Sequence, residues 1–166
     1  NRKLRANIIR SIRLFFSERN YLEVETPVRI PAPAPEAHID AIESEELFLH
    51  TSPELCMKRL LSSGYPRIFQ ICKCFRQKER GSRHIPEFTM LEWYRAGSDY
   101  FGMMDETEAL IKHVALKSGS GNSINYQGGR IDLDKPSTRM TVAEAFDKYD
   151  SISVQKALSD DRFDEI

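Results

Sequence analysis

An α+β fold is what the sequence predicts, from two kinds of repeat that lie close together along the chain. Between Arg67 and Arg95, two alternating segments flank the basic loop Gln77 to Pro86, the pattern of an antiparallel hairpin. On either side of it, apolar residues recur at helical spacing: Leu4, Ile8, Ile12, Phe15 and Phe16 before, and Phe101, Met104, Ile111, Val114 and Ala115 after. A chain of 166 residues, 40% hydrophobic and 30% charged, supplies one core, so a single domain is the default expectation.

The first helix carries arginines between its apolar positions and stops near Asn20. Tyr21 to Thr26 alternates as a strand before Pro27, and Pro31, Pro33 and Pro35 alternate with alanine, which holds the next segment extended as a connector. Leu47 to Leu49 is a short apolar strand after the acidic stretch Glu43 to Glu46. Ser52 is placed to cap a helix with Pro53 at its first position, Leu55, Leu60 and Leu61 facing inward and Gly64 beyond its end. The second long helix spans Asp99 to Lys117, with Gly119 as terminator. Gln127-Gly128-Gly129-Arg130 predicts a tight hairpin, and Thr141 with Glu144 a capping box for a last short helix.

Composition narrows location and chemistry. No run of about 18 apolar residues is present to span a bilayer, and no secretory leader opens the chain, so no membrane partner and a cytoplasmic location are expected. Net charge of −1 leaves nucleic-acid binding open. Cys56, Cys72 and Cys74 lack paired C-x-x-C spacing, which argues against a disulfide framework and a zinc site; no metal is expected on these residues. His38, His50 and His113 are scattered without metal-ligand spacing and are read as incidental. With Asn1 first and no stop signal after Ile166, the sequence reads as part of a longer polypeptide.

The hairpin carries the chemistry. Ile68, Gln70, Cys72, Cys74 and Arg76 share one strand face, and Phe88, Met90, Glu92 and Tyr94 share one face of the other. Pairing Arg76 with Phe88 makes the two rows coincide and sets a guanidinium beside an aromatic ring, a pair suited to phosphate and a purine. Lys78, Arg80, Arg83 and His84 make the loop cationic against a single acid, Glu79. A solvated hairpin tip has the same charge, so charge alone does not decide.

Order along the chain does. Phe75-Arg76, then Arg83-His84, then Pro86 to Glu92 resemble motif 2 of the class II aminoacyl-tRNA synthetases, and Leu22 to Pro27 after the first helix resembles motif 1. The lysyl branch fits best. Thr51-Ser52-Pro53-Glu54 with Met57 to Leu61, and Leu91 to Arg95, most resemble the short lysyl-synthetase paralogues that lysylate elongation factor P.

The resemblance implies an incomplete class II core, an antiparallel sheet flanked by helices, with residues 1–166 forming the N-terminal part of a catalytic domain; motif 1 spans about 4–27 and motif 2 about 68–96. It implies ATP-dependent activation of lysine or a lysine isomer and transfer to a lysine of elongation factor P, with a lysyl-tRNA synthetase fragment, accepting on tRNA, or a degenerate non-catalytic module as alternatives. Arg76 and His84 are the implied catalytic residues. Arg76, Gln77, Lys78, His84, Ile85 and Phe88 are implied to bind ATP, and Ser52, Pro53, Glu54, Glu92 and Tyr94 the amino acid. The magnesium that accompanies ATP is expected on ligands outside this chain, and a homodimer is implied by motif 1. Two positions depart from the family pattern: Lys78 stands where glutamate is usual and Ile85 where asparagine is usual. The third motif is absent from the sequence, so this chain alone is not expected to catalyse adenylation.

Overall fold

A computed structural model describes residues 2–149 and 153–159. Helix α1 (Arg2–Ser17) leads into β1 (Leu22–Glu23), and β2 (Arg29–Ile30), β3 (Ile42–Ser44) and β4 (Leu47–Leu49) follow. Next come α2 (Glu54–Ser62), β5 (Arg67–Phe75), β6 (Glu87–Arg95) and α3 (Tyr100–Ser118). The hairpin β7 (Ser123–Tyr126) and β8 (Gly129–Asp132) precedes α4 (Val142–Tyr149) and α5 (Val154–Ser159), the latter not foreseen. Where composition predicts one core, the chain forms two compact units, Asn1–Asn122 and Ser123–Ile166.

In the first unit the main sheet has the order β1-β5-β6. It is mixed rather than antiparallel: β5 and β6 pair antiparallel, but β1 runs parallel to β5, with Leu22 opposite Ile68. The long crossover between β1 and β5 permits this parallel pairing, and within it β2, β4 and β3 make a separate antiparallel sheet. Glu45, at φ 59°, turns β3 back onto β4.

The odd-numbered row of β5 and β6 faces the core. Phe15, Phe16, Tyr21, Phe69 and Leu110 are buried together, with Ile71, Leu91 and Trp93 packed against them. The Phe16 ring stacks on Phe69 at 4.7 Å and meets the Tyr21 and Trp93 rings at 5.1 and 5.5 Å. Inside this apolar layer sits Glu106, buried on α3; it accepts from Tyr21 Oη at 2.5 Å and Trp93 Nε1 at 3.1 Å, and lies 3.6 Å from Arg95 Nη1. Burial, reinforced by the Glu106 carboxylate, pushes the Tyr21 phenol up.

Glu106 also corrects the expected stripe of α3. Phe101, Met104 and Ile111 are exposed, and the buried row runs through Glu106 and Leu110, with Val114 packed beside them. An apolar-periodicity reading passes over a carboxylate and so rotates the inferred face. The ends of α3 are as expected: Asp99 accepts from Gly102 N, and Gly119 closes the helix at φ 92°. On α1, Leu4 is exposed rather than core.

The second unit holds the expected hairpin, whose two-residue turn places both Gln127 and Gly128 at positive φ. At α4, Thr141 Oγ1 accepts from Glu144 N, and the Glu144 carboxylate accepts from Thr141 N. This is the expected capping box.

Candidate functional site

The opposite, even-numbered face of β5 and β6 collects the polar residues. Its register pairs Ile68 with Tyr94, Gln70 with Glu92, Cys72 with Met90 and Cys74 with Phe88. Arg76 therefore does not pair with Phe88: its N–H donates to the Pro86 carbonyl at 2.9 Å, two residues earlier. Burying Phe69 opposite Trp93 and Ile71 opposite Leu91 sets this register. A shift by two preserves the alternation, so the predicted rows still share one face. The Arg76 guanidinium reaches the Phe88 ring diagonally, 5.2 Å from its centroid.

At the other end of the face, residues 52–54 and α2 lie against the sheet. Ser52 Oγ donates to Glu92 and accepts from Glu54 N at 3.0 Å, and Tyr94 Oη donates to Glu92 at 3.2 Å. Because its hydroxyl is committed to Glu92, Ser52 stands one residue outside the helix, and buried Pro53 occupies the N-cap instead of the first position. The inward residue of α2 is Met57, fully buried, while Leu55 is exposed. Burial raises the Glu92 carboxyl above its usual range, against the lowering effect of the Ser52 and Tyr94 hydroxyls. Burial and the Glu92 and Glu54 carboxylates push the Tyr94 phenol up.

Two charges on this face lack a counter-ion. Among the described residues, neither Arg76 nor Glu92 forms an ion pair; Arg76 Nε donates only to the Thr51 carbonyl at 3.4 Å. Glu54 differs, for it is paired with Lys58 one turn along α2. The rows place Arg76 and Glu92 about 20 Å apart along the strands.

The loop residues are less gathered. Lys78, at φ 61°, is tied to Asp40 at 3.0 Å, and Gln77 N donates to the Asp40 carbonyl at 2.8 Å. His84 lies 3.8 Å from Glu79, and Ile85 is 62% exposed. The structure thus brings together Ser52, Pro53, Glu54, Glu92 and Tyr94 at one end and Arg76 with Phe88 at the other. It leaves Lys78, His84 and Ile85 on the exposed loop.

Between the two ends lies a group read from sequence as incidental. His50 is buried, its Nε2 donating to the Lys73 carbonyl at 2.6 Å and lying 4.0 Å from Cys74 Sγ. The Cys72 and Cys74 sulfurs are 3.8 Å apart. A hydrogen bond to Cys72 raises the His50 imidazole despite burial, and a hydrogen bond from Cys74, with His50 beside it, lowers the Cys72 thiol. The Cys74 thiol is pushed up by Cys72 and by burial. A base beside the thiols was not legible in the sequence; the only local signal was the Cys-x-Cys alternation, which puts both sulfurs on one face.

A helix-backed sheet whose even-numbered face offers one unpaired cation over an aromatic ring and one unpaired, half-buried carboxylate is the kind of surface that holds a zwitterionic or phosphorylated small molecule. Residues 1–162 match the tRNA synthetases class II (D, K and N), and the chain belongs to that family. A lysine–tRNA ligase of Thiobacillus denitrificans is 43% identical over 87% of this chain and 30% of its own length. One from Burkholderia pseudomallei is 41% identical over 97% of this chain and 33% of its own, as is one from Burkholderia mallei. The chain thus spans about a third of the length of the curated relatives it matches. Among the described residues, no helix is long and apolar enough to cross a membrane.

Proposed function

We propose that this chain is the N-terminal part of a catalytic domain that activates lysine with ATP, its even-numbered β5–β6 face holding the aminoacyl-adenylate. The observation that carries the reading is the complementary pair of uncompensated charges: Arg76 over Phe88 at one end and Glu92 between Ser52 and Tyr94 at the other. Lysyl-adenylate presents a phosphate and a purine at one end and ammonium groups at the other, which matches that order.

Joining a carboxylate to the α-phosphate is opposed by repulsion between two anions, so positioning and fixed positive charge supply the catalysis and no side-chain nucleophile is needed. Arg76 bridges the α-phosphate and the attacking carboxylate, and Phe88 stacks on adenine. His84, Gln77, Lys78 and Ile85 border the outgoing pyrophosphate when the loop closes on nucleotide. Glu92 and Glu54 receive the ammonium groups, Tyr94 and Ser52 orient Glu92, and Pro53 holds the turn that carries them. Magnesium is assigned to none of these residues. The carboxylates of this face, Glu54 and Glu92, both lie at the amino-acid end, away from Arg76 and Phe88.

The relatives' names favour tRNA as the acyl acceptor over a lysine of elongation factor P, which the sequence reading put first. Support for the protein acceptor is the local likeness of Met57 to Leu61 and Leu91 to Arg95 to the short paralogues. Charging full-length protein with labelled lysine and offering each acceptor separates the two.

The test of activation itself is Arg76→Ala in the full-length protein, read by ATP–pyrophosphate exchange. An oriented charge-assisted contact in the transition state is worth about 3 kcal/mol or more, so exchange should fall on the order of 100-fold. Wild-type exchange by the variant removes Arg76 from the reaction. Inertness of the unmodified full-length protein with lysine and its isomers supports the degenerate module instead.

A further inference from the structure

We propose that His50, Cys72 and Cys74 form a binding site for a thiophilic d10 metal ion, Zn2+ or Cu+, in the middle of the β5–β6 face. The three ligand atoms lie within 4.8 Å of one another. A tetrahedral ion with metal–sulfur bonds of about 2.3 Å and metal–nitrogen bonds of about 2.0–2.1 Å sets its sulfurs about 3.8 Å apart and each sulfur about 3.6 Å from the nitrogen. The observed separations are 3.8 Å between Cys72 and Cys74 and 4.0 Å from Cys74 to His50 Nε2. Small side-chain shifts close the site around an ion.

The scaffold holds these atoms in place. The two cysteines alternate on one regular strand, and His50 is fixed by its backbone on both sides, its N–H donating to Val28 O at 2.9 Å and its carbonyl accepting from Phe75 N at 3.1 Å. Met90, directly across from Cys72, brings its thioether within 3.8 Å of Cys74 Sγ and is the nearest candidate for a fourth soft donor. Facing a carbonyl, Nε2 carries the imidazole proton in the ligand-free state, so ligation exchanges the Lys73 hydrogen bond for the metal bond. The thiol protons and the Nε2 proton leave; His50 Nδ1, buried without a hydrogen-bond partner, takes up the one proton the neutral ring retains. The ion would sit between the amino-acid and nucleotide ends, so occupancy should compete with adenylate formation. That consequence rests on the proposed function, whereas binding itself does not.

The experiment is titration of the reduced, metal-free protein under nitrogen. Co2+ as a Zn2+ probe is read by its thiolate charge-transfer absorption, Zn2+ by displacement of that signal, and Cu+ by competition with a chromophoric chelator. One ion per chain with an affinity of about micromolar or tighter is expected, with proton release in weak buffer. Cys72→Ser, at a half-buried position that tolerates the change, should weaken binding on the order of 100-fold, and His50→Gln should shift the cobalt spectrum. Met90→Leu should weaken Cu+ and leave Zn2+ unaffected, which separates the two ions. The proposal is overturned if folded Cys72→Ser, checked by circular dichroism, binds as the wild type does, or if the wild type shows no thiolate–cobalt band. Loss of pyrophosphate exchange on metal loading extends the inference to competition; unchanged exchange overturns the competition and leaves the site.

Discussion

Glu106→Ala tests whether the sheet is held by a buried charge rather than by apolar packing alone. The substitution removes the acceptor of two hydrogen bonds, from Tyr21 Oη and Trp93 Nε1, and the partner of Arg95. Each hydrogen bond to a charged group contributes about 1.5–3 kcal/mol, and the orphaned donors are held in a mostly apolar layer. Arg95 is about a third exposed, so its pairing at 3.6 Å adds little. The expected loss is about 3–5 kcal/mol, a large part of the stability of an ordinary domain. Urea unfolding followed by fluorescence is the assay, and the chain's one tryptophan is Trp93 itself, so the probe sits in the network it reports on. Tyr21→Phe, which removes one donor and leaves none stranded, should cost less than half as much. A loss under about 1 kcal/mol for Glu106→Ala, on the scale of ordinary surface substitutions, refutes the network as a source of stability.

The other predictions concern the polar face and the assembly. Glu92→Gln should stabilise the ligand-free protein at neutral pH by about 1 kcal/mol. The sign follows from the raised carboxyl: stability is fully present below the ordinary value of 4.5 and is lost as pH rises through the folded value. The difference between variant and wild type should therefore vanish below pH 4.5, and a variant destabilised more at pH 7 than at pH 4 contradicts it. Glu54→Gln in the full-length protein should raise the KM for lysine roughly tenfold or more with little change for ATP, as expected for loss of a carboxylate facing an ammonium. Equal effects on both ligands would reduce Glu54 to the first-turn partner of Lys58 on α2. Sedimentation of the full-length protein at about ten micromolar should show a dimer, because the motif 1 segment leaves Leu4, Leu14 and Leu22 exposed; monomer alone at that concentration counts against motif 1 as an interface.

Much of this was legible because period-two alternation survives errors of register. Pairing Arg76 with Phe88 was wrong by two residues, yet the set of side chains on the even-numbered face was unchanged. The caps of α3 and the turn at Gln127-Gly128 were legible for a local reason: each is decided by the φ or the side chain of one or two residues. What escaped were the arrangements made at a distance. The parallel pairing of β1 with β5 leaves no mark on either short segment, the buried face of α3 was hidden by the charge at its centre, and His50 acquires meaning only when folding brings it to Cys72 and Cys74. Lys78 read as an intrusion into a nucleotide site, and folding gives it a partner in Asp40.

The pleat of β5 and β6 divides the two demands on this chain. Odd positions meet α1 and α3, where Phe69 and Trp93 bury apolar area and Glu106 is fully partnered, so that face supplies stability. Even positions hold an uncompensated carboxylate at Glu92 and an unpartnered Gln70 Oε1, each of which costs stability in the absence of a ligand. Because one strand presents both rows, a change on one face reaches the other chiefly through register. Register is held by the odd-numbered pairs, so the half-buried Glu92 can vary without unfolding the sheet, whereas Ile68 and Cys74 on the same row are fully buried. Substitutions at Glu106 should therefore lower stability and activity together, whereas those at Glu92 should move them in opposite directions.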